Sequence, residues 1–276
     1  MQTAIPSALG IIAGKGVYPL LLAQSARQQG VGRIHVVAFR GETERSIEKH
    51  ADTVDWLYLG QLDRMMESFK ASQVRHAVMA GQITPTSLFR VRMDARAMAL
   101  LKRLAHRNAH TIFGAIGEEL RALGIDLMPA SAFMEAHMPE AGVLTTRPPT
   151  AIEQTDIALG QKVAHVTSRF EIGQTVVIKE GTVLAVEAFE GTDKAIRRAG
   201  ELGGPGCVVV KVAKQGHDMR FDIPVIGMHT LKTLKKVKAG ALALEAGRAI
   251  ILEKEQVITT ANRLGLSIIA LPPMAE

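Results

Sequence analysis

Between Lys211 and Gly227 the chain reads Lys-Val-Ala-Lys-Gln-Gly-His-Asp-Met-Arg-Phe-Asp-Ile-Pro-Val-Ile-Gly. Two carboxylates, Asp218 and Asp222, stand among Lys211, Lys214, His217 and Arg220, with Gly216 and Pro224 framing the turn. Acids able to hold a hard cation thus lie beside bases able to hold phosphate. Magnesium is commonly held by one or two carboxylates together with substrate phosphates. Phosphoryl transfer is accelerated mainly by positioning and charge neutralisation, which calls for this blend. Phe221, Ile223, Val225 and Ile226 supply apolar anchors, and Pro224 stiffens the segment. The plainer reading is an exposed, salt-bridged turn in which His217 only holds the loop rather than moving a proton.

Two other stretches carry chemistry less specifically. Gly10-Ile-Ile-Ala-Gly-Lys-Gly-Val-Tyr-Pro19 reads as strand, glycine turn and helix. Gly14 and Gly16 would let backbone N–H groups approach an anion, the helix N-terminus favours negative charge, and Lys15 adds a cation. Neither the Walker loop nor the dinucleotide fingerprint fits, since no Gly-Lys-Ser/Thr follows at the required distance and Pro19 stands where a glycine is needed. A tight strand-to-helix turn is the alternative. Gly81-Gln82 ends another apolar run in the same half. In Glu187-Ala-Phe-Glu-Gly-Thr-Asp193, Thr192 or Asp193 suits a helix N-cap, while Glu187 and Glu190 could reach a metal or sugar hydroxyls, or simply face water. Lys194, Arg197 and Arg198 follow on one helical face. His106 and His110 have i, i+4 spacing without a metal-binding companion, and no Gly-x-Ser-x-Gly, His-Glu-x-x-His or Cys-x-x-Cys occurs.

The elements that must position these groups follow from patterning. With 276 residues, 47% of them apolar, the chain is long enough for one large or two modest domains and too apolar to be disordered. Its net charge of +6 favours phosphate-rich partners or is an ordinary solubility charge, whereas only 4% aromatics argues weakly against binding single strands by base stacking. The single cysteine, Cys207, excludes an intrachain disulfide and a thiolate zinc cluster. No secretory leader and no run of roughly 18 to 20 apolar residues is visible. A cytoplasmic protein is therefore expected, with peripheral membrane contact left open.

Strands at Leu9–Ala13, His35–Phe39, Val54–Leu59 and His76–Ala80 alternate with helices at Tyr18–Gln29 and Leu62–Ser72, a pattern of parallel βαβ units. In such sheets ligands bind beyond the carboxyl ends of the strands, where Gly14, Gly16 and Gly81 fall. The stretch from Leu88 to Leu123 reads as helical, and Gly142–Thr150 as a linker. The second half mixes helices (151–169, 192–202, 230–237, 253–264) with strands at 207–212 and 267–271. Two hairpins are expected there, at Glu180-Gly181 and around Gly247. The expected fold is α/β, with a Rossmann-like parallel-sheet domain over 1–142, a linker over 143–150 and a mixed α/β catalytic domain over 151–276.

Taken in order, Gly10-Ile-Ile-Ala-Gly-x-Gly-x-x-Pro19, Gly81-Gln82, Glu187-Ala-x-Glu-Gly-Thr-Asp193 and Lys211-x-x-Lys-x-x-x-Asp-x-Arg-x-Asp-x-Pro-x-Ile-Gly227 resemble the UDP-2,3-diacylglucosamine pyrophosphatases of lipid A synthesis that are unrelated to calcineurin-like phosphoesterases. The resemblance covers almost the whole chain. It implies metal-dependent hydrolysis of the pyrophosphate by attack of water on the α-phosphorus, giving UMP and the diacylated sugar 1-phosphate. It also implies magnesium as cofactor, a homodimer, transient contact with the inner-membrane surface and no nucleic-acid partner. On this basis Asp218 and Asp222 are the expected catalytic residues, with Asp222 favoured as essential, and both join Glu190 as metal ligands. Gly14, Lys15, Gly16, Gly81, Gln82, Thr192, Asp193, Lys211, Lys214 and Arg220 are expected to contact substrate. His217 stands where the family has a neutral amide. The alternative functions are a non-catalytic nucleotide-sugar or lipid-binding protein and, with least support, an RNA-binding module.

Overall fold

A computed structural model of the chain describes residues 5–83, 92–170, 172–214 and 218–274. It falls into two compact units. The first comprises Met1–Met134 together with Asp218–Asp222, and the second comprises Glu135–His217 with Ile223–Glu276.

In the first unit the order is β1 (Ala8–Ala13), α1 (Tyr18–Gln28), β2 (Arg33–Phe39), β3 (Thr53–Leu57), α2 (Leu62–Ser72), β4 (His76–Ala80), α3 (Ala95–Arg103), α4 (Ala109–Ala122) and β5 (Asp126–Leu127). The strands form one parallel sheet in the order β3-β2-β1-β4-β5. β1 and β2 are near-continuous buried runs, as expected of strands covered on both faces. Asp94 caps α3 by accepting the Ala97 N–H at 2.9 Å, and Asn108 caps α4 by accepting that of Thr111 at 2.8 Å. The helical stretch foreseen from Leu88 thus resolves into α3 and α4, while residues 84–91 lie outside the described ones. The strand order reverses beside β1, so the crevice between β1 and β4 is the topological switch point at which such sheets bind ligands.

A buried polar network ties β2, β3 and α2 together. His35 Nδ1 lies 2.8 Å from Thr53 Oγ1, His35 Nε2 lies 2.8 Å from Ser68 Oγ, and Ser68 donates to Asp55 at 2.6 Å. Burial pushes the His35 imidazole pKa down, against the pull of Asp55. Ser68 gives its one proton to a carboxylate and is buried, so this serine–histidine pair is a fastening and not a nucleophile.

The second unit runs β6 (Gly142–Val143), α5 (Ala151–Ser168), β7 (Thr175–Lys179), β8 (Thr182–Val186), α6 (Thr192–Gly203), β9 (Val208–Lys211), β10 (Val225–Ile226), α7 (Met228–Val237), β11 (Ala241–Glu245), β12 (Ile250–Ile251), α8 (Lys254–Leu264) and β13 (Ser267–Leu271). Its main sheet has the order β6-β13-β11-β9-β7-β8. Within it β9, β11 and β13 pair in parallel, while the β6, β7 and β8 pairings are antiparallel. α5 opens with a capping box between Thr150 and Glu153. It lies close on the sheet because Gly160 has no Cβ, which would sit 2.4 Å from Ile178 and 2.6 Å from Val210.

The hairpin at Glu180-Gly181 forms, but the one expected around Gly247 does not. β11 is paired along both edges, by β9 and β13, and so has no edge left for β12. β12 instead pairs in parallel with β10. The stretch expected as a linker is laid against this unit. Gly142–Val143 pairs with β13, the Thr145 hydroxyl accepts the Ile268 N–H at 2.9 Å, and Arg147 grips Glu153 at 2.9 Å.

Candidate functional site

At the switch point of the first unit the two glycine turns close on each other. Gly14 N–H donates to Ala80 C=O at 2.7 Å, Lys15 N–H to Gln82 C=O at 2.8 Å, and Gln82 N–H to Lys15 C=O at 3.1 Å. A Cβ on Gly14 would meet the Gln82 carbonyl oxygen at 2.7 Å, and one on Gly81 the Gly14 carbonyl carbon at 2.8 Å. The glycines therefore serve a backbone-to-backbone approach, and the N–H groups of Gly14 and Lys15 are spent inside it. Gly16, at φ +93 with open space where its Cβ would be, turns the chain toward α1. That helix begins at Val17 without a side-chain cap. Thr43 braces the same end of the sheet, accepting the Phe39 N–H at 2.9 Å and donating to Ala13 C=O.

The Asp218–Asp222 segment is a tight turn of this same unit. Phe221 and Asp222 N–H groups both bond the Asp218 carbonyl, at 3.2 and 3.1 Å, and Met219 C=O accepts the Ala130 N–H at 2.8 Å. The Phe221 ring stands 5.7 Å from His110 and 5.9 Å from Phe113, both on α4. Arg220 lies over Gly117, its Nη1 3.5 Å from where a Cβ would stand. The Asp218 carboxylate accepts from Arg220 Nε at 2.8 and 3.0 Å and from Nη2 at 2.6 Å. These bonds hold the Asp218 pKa below the usual carboxylate range and raise that of Arg220. Asp222 is half-buried beside this neutralised pair. His217 lies outside the described residues.

In the second unit Lys211 and Thr192 meet. Lys211 is 8% exposed, and its ammonium donates to Thr192 Oγ1 at 2.8 Å. Thr192 donates to Glu187 at 3.0 Å, and the other oxygen of Glu187 accepts the Gln174 N–H at 3.3 Å. A buried cation is thereby aimed at the N-terminus of α6, where positive dipole and ammonium together favour an anion. Asp193 turns to α7, bonding Thr233 Oγ1 at 2.7 Å and His229 Nε2 at 2.9 Å. Glu190 takes Arg198 at 2.7 Å and the Ala188 N–H at 3.0 Å, and its pKa is lowered chiefly by Arg198. The basic face foreseen on α6 is thus divided. Arg198 is paired, whereas Arg197 joins His229, Lys232 and Lys236 around a shallow groove of about 280 Å³.

The expected metal ligands can be tested against this chemistry. Asp218 and Glu190 are each committed to a guanidinium, and a divalent cation at either would have to displace a charge-assisted bond of 2.7 Å or less. Among the described residues no three His, Cys, Asp or Glu side chains converge on a point. Asp218 and Glu190 as they stand do not fit a resident magnesium ion.

The pair also sets a pH dependence. Because the folded-state pKa of Asp218 is depressed, its contribution to stability is complete above the unfolded value of about 3.9 and fades as pH falls through the lower native value. Asp218→Asn is expected to be less stable than the native chain at neutral pH, and the two are expected to converge as pH falls through the depressed native pKa of Asp218. Urea unfolding at stepped pH checks this, and a gap that does not narrow with acid contradicts it.

Sequence reasoning set His165 aside as an isolated histidine and overlooked Glu245, both of them buried, and the cross-loop role of Gly14 with Gly81. An acid ending an otherwise apolar strand, Ala-Leu-Ala-Leu-Glu245, was the available signal for Glu245.

Residues 8–137 match the family model described as the LpxI N-terminal domain, and residues 140–269 that of the LpxI C-terminal domain. The UDP-2,3-diacylglucosamine pyrophosphatase LpxI of Caulobacter vibrioides is 27% identical over 278 residues, which cover 96% of this chain and 98% of that protein.

Proposed function

Because the chain belongs to the LpxI family, matched nearly end to end by its two domain models, we propose that it hydrolyses the pyrophosphate of UDP-2,3-diacylglucosamine in lipid A synthesis. Water attacks the α-phosphorus, and the bond from that phosphorus to the bridging oxygen breaks. The bridging oxygen leaves on the diacylglucosamine 1-phosphate, and UMP retains the incoming oxygen. The observation that carries the reading is the 218–222 turn. It is fixed by main-chain bonds and by Phe221, and it sets Asp222 beside an Asp218 that Arg220 neutralises.

Asp222 is assigned the essential role, orienting the attacking water and accepting the proton that it loses. Arg220 holds Asp218 and stiffens the turn, which supplies the positioning on which phosphoryl transfer chiefly depends. Magnesium enters this proposal as a counter-ion of the diphosphate, and no step is assigned to it. No helix among the described residues is long and apolar enough to cross a membrane. The diacyl substrate is proposed to be met at a membrane surface.

The test is a product assay with purified protein in ¹⁸O-enriched water, with and without a chelator. UMP carrying the heavy oxygen, formed only without chelator, is the expected result. Heavy oxygen on the sugar phosphate overturns the direction of attack, and unchanged rates in chelator overturn the metal requirement. Tight binding without turnover would make the chain a nucleotide-sugar or lipid-binding protein instead.

A further inference from the structure

Within the second unit, the groove between α6 and α7 has a firm frame. Asp193, Arg197 and Gly200 follow at i, i+4 and i+7 on α6, so they share one face of that helix. Toward one end of this face the Asp193 carboxylate accepts from Thr233 Oγ1 at 2.7 Å and lies 2.9 Å from His229 Nε2. Toward the other, Gly200 carries no Cβ, which would stand 2.6 Å from Val237 Cγ1, so the two helices come close there. Arg197 falls between these contacts, facing Lys232 and Lys236 across the groove. The inner faces of both helices are sunk in the core, through Ile196 and Ala199 on α6 and Leu231 and Leu234 on α7. The outer side chains therefore stand on a rigid support.

What that support displays is uncompensated positive charge. α7 carries three lysines and a histidine in ten residues and no acid. Of the acids on α6 and its approach, Glu190 is committed to Arg198, and Asp193 to Thr233 and His229. Glu201, exposed one turn beyond Arg197, is the remaining one, and the exposed Lys235 and Lys238 outnumber it. Arg197, Lys232 and Lys236 are exposed, and no ion pair among the described residues joins any of them to a carboxylate. The groove is lined by no aromatic ring on which a base could stack, and it is too shallow to enclose a small molecule. Its charge complements a surface that presents many phosphates side by side, and a bilayer rich in anionic lipid is such a surface.

We propose that the α6–α7 groove docks the protein on an anionic bilayer, with Arg197, Lys232 and Lys236 meeting phospholipid headgroups. The proposal rests on the pyrophosphatase reading for why the protein visits a bilayer, whereas its binding consequence can be measured without turnover.

The test sediments purified protein with vesicles of phosphatidylcholine alone or of phosphatidylcholine mixed with phosphatidylglycerol. The native chain is compared with the triple variant Arg197→Gln/Lys232→Gln/Lys236→Gln, with Lys232→Gln alone, and with a control, Arg45→Gln/Lys49→Gln/Lys70→Gln, that removes three exposed cations from the first unit. The native chain should partition onto the anionic vesicles only, and less as salt is raised. The groove triple variant should lose roughly 100-fold in partition coefficient and Lys232→Gln about fivefold, at about fivefold for each cation held near an anionic surface. The control should partition as the native chain does. UMP release by the groove variant should fall when substrate is presented in anionic vesicles and match the native rate when substrate is dispersed in neutral detergent micelles. Equal partition of the native chain onto both vesicle types overturns the proposal, as do folded groove variants that partition like the native chain or a control that loses as much as they do. Displacement of the native chain by inorganic phosphate at matched ionic strength would make the groove a small-anion site, and a groove variant slowed equally in micelles would make it part of the substrate site. Either result overturns docking. If the native chain releases no UMP, the functional reading fails and sedimentation still decides the docking.

Discussion

Asp222→Ala is expected to lose UMP release by roughly 10²- to 10⁴-fold, the range typical of removing a group that moves or orients a proton in the transition state. The variant should fold. The turn is closed by main-chain bonds from Phe221 and Asp222 to the Asp218 carbonyl, and it is seated by the Phe221 ring against His110 and Phe113. None of these needs the Asp222 carboxylate. Asp218→Ala should behave differently, because it strips Arg220 of its bidentate partner. The Arg220 side chain is 24% exposed, and it would be left near Glu118 and Asp126 without its short bonds. A cost of about 1–3 kcal/mol is expected for a charged hydrogen bond lost from such a site, with activity falling through loosening of the turn. Thermal melts and initial rates on both variants separate the two roles. A stable, inactive Asp218→Ala beside an active Asp222→Ala would reverse the assignment.

Much of the framework was legible because it is written locally. β1 and β2 are unbroken apolar runs, α2 spans Leu62–Ser72 as its spacing indicates, and glycines stop the elements where expected. Two-residue strands such as β5 and β6 are too short to carry a period, and only their partners make them strands. The false hairpin at Gly247 has the same origin. Two apolar runs around a glycine look alike whether they pair with each other or with strands distant in sequence.

The site shows the same division. The acid–base mixture between Lys211 and Asp222 could be read directly, but its internal pairing could not. Asp218 and Arg220 are two residues apart and meet only because the chain there is a turn and not a strand, in which alternate side chains would share a face without touching. That Asp218–Asp222 belongs with Met1–Met134 is a long-range fact with no local signature. Glu245 is the clearest case of hidden chemistry. In sequence it is a polar residue closing a strand, and only in the fold is it buried against the Ala213 amide and the His165 ring.

The glycines of the first unit separate two physical demands that sequence alone merges. Gly81 has φ +92, and an added Cβ would stand 2.8 Å from the Gly14 carbonyl carbon and 2.9 Å from the Lys15 carbonyl oxygen. Gly16 has φ +93 with nothing within 4 Å. Both substitutions to alanine carry the left-handed backbone cost of roughly 1–2 kcal/mol. Only Gly81→Ala also meets backbone atoms, which cannot rotate away as a side chain would. The two turns must then part, and the Lys15–Gln82 bonds of 2.8 and 3.1 Å weaken with them. Each such bond contributes about 1 kcal/mol net, so Gly81→Ala should lose about 3–5 kcal/mol, a size reserved for a few identifiable causes. Gly16→Ala should lose no more than about 2 kcal/mol. The chain has one tryptophan, Trp56 in β3, so its fluorescence in a urea titration follows the first unit without mixing in the second. Equal midpoints for the two variants would mean that the turns do not bear on each other as described. A much lower midpoint for Gly81→Ala would show that Lys15 is held in place by contact between loops rather than by the turn that contains it.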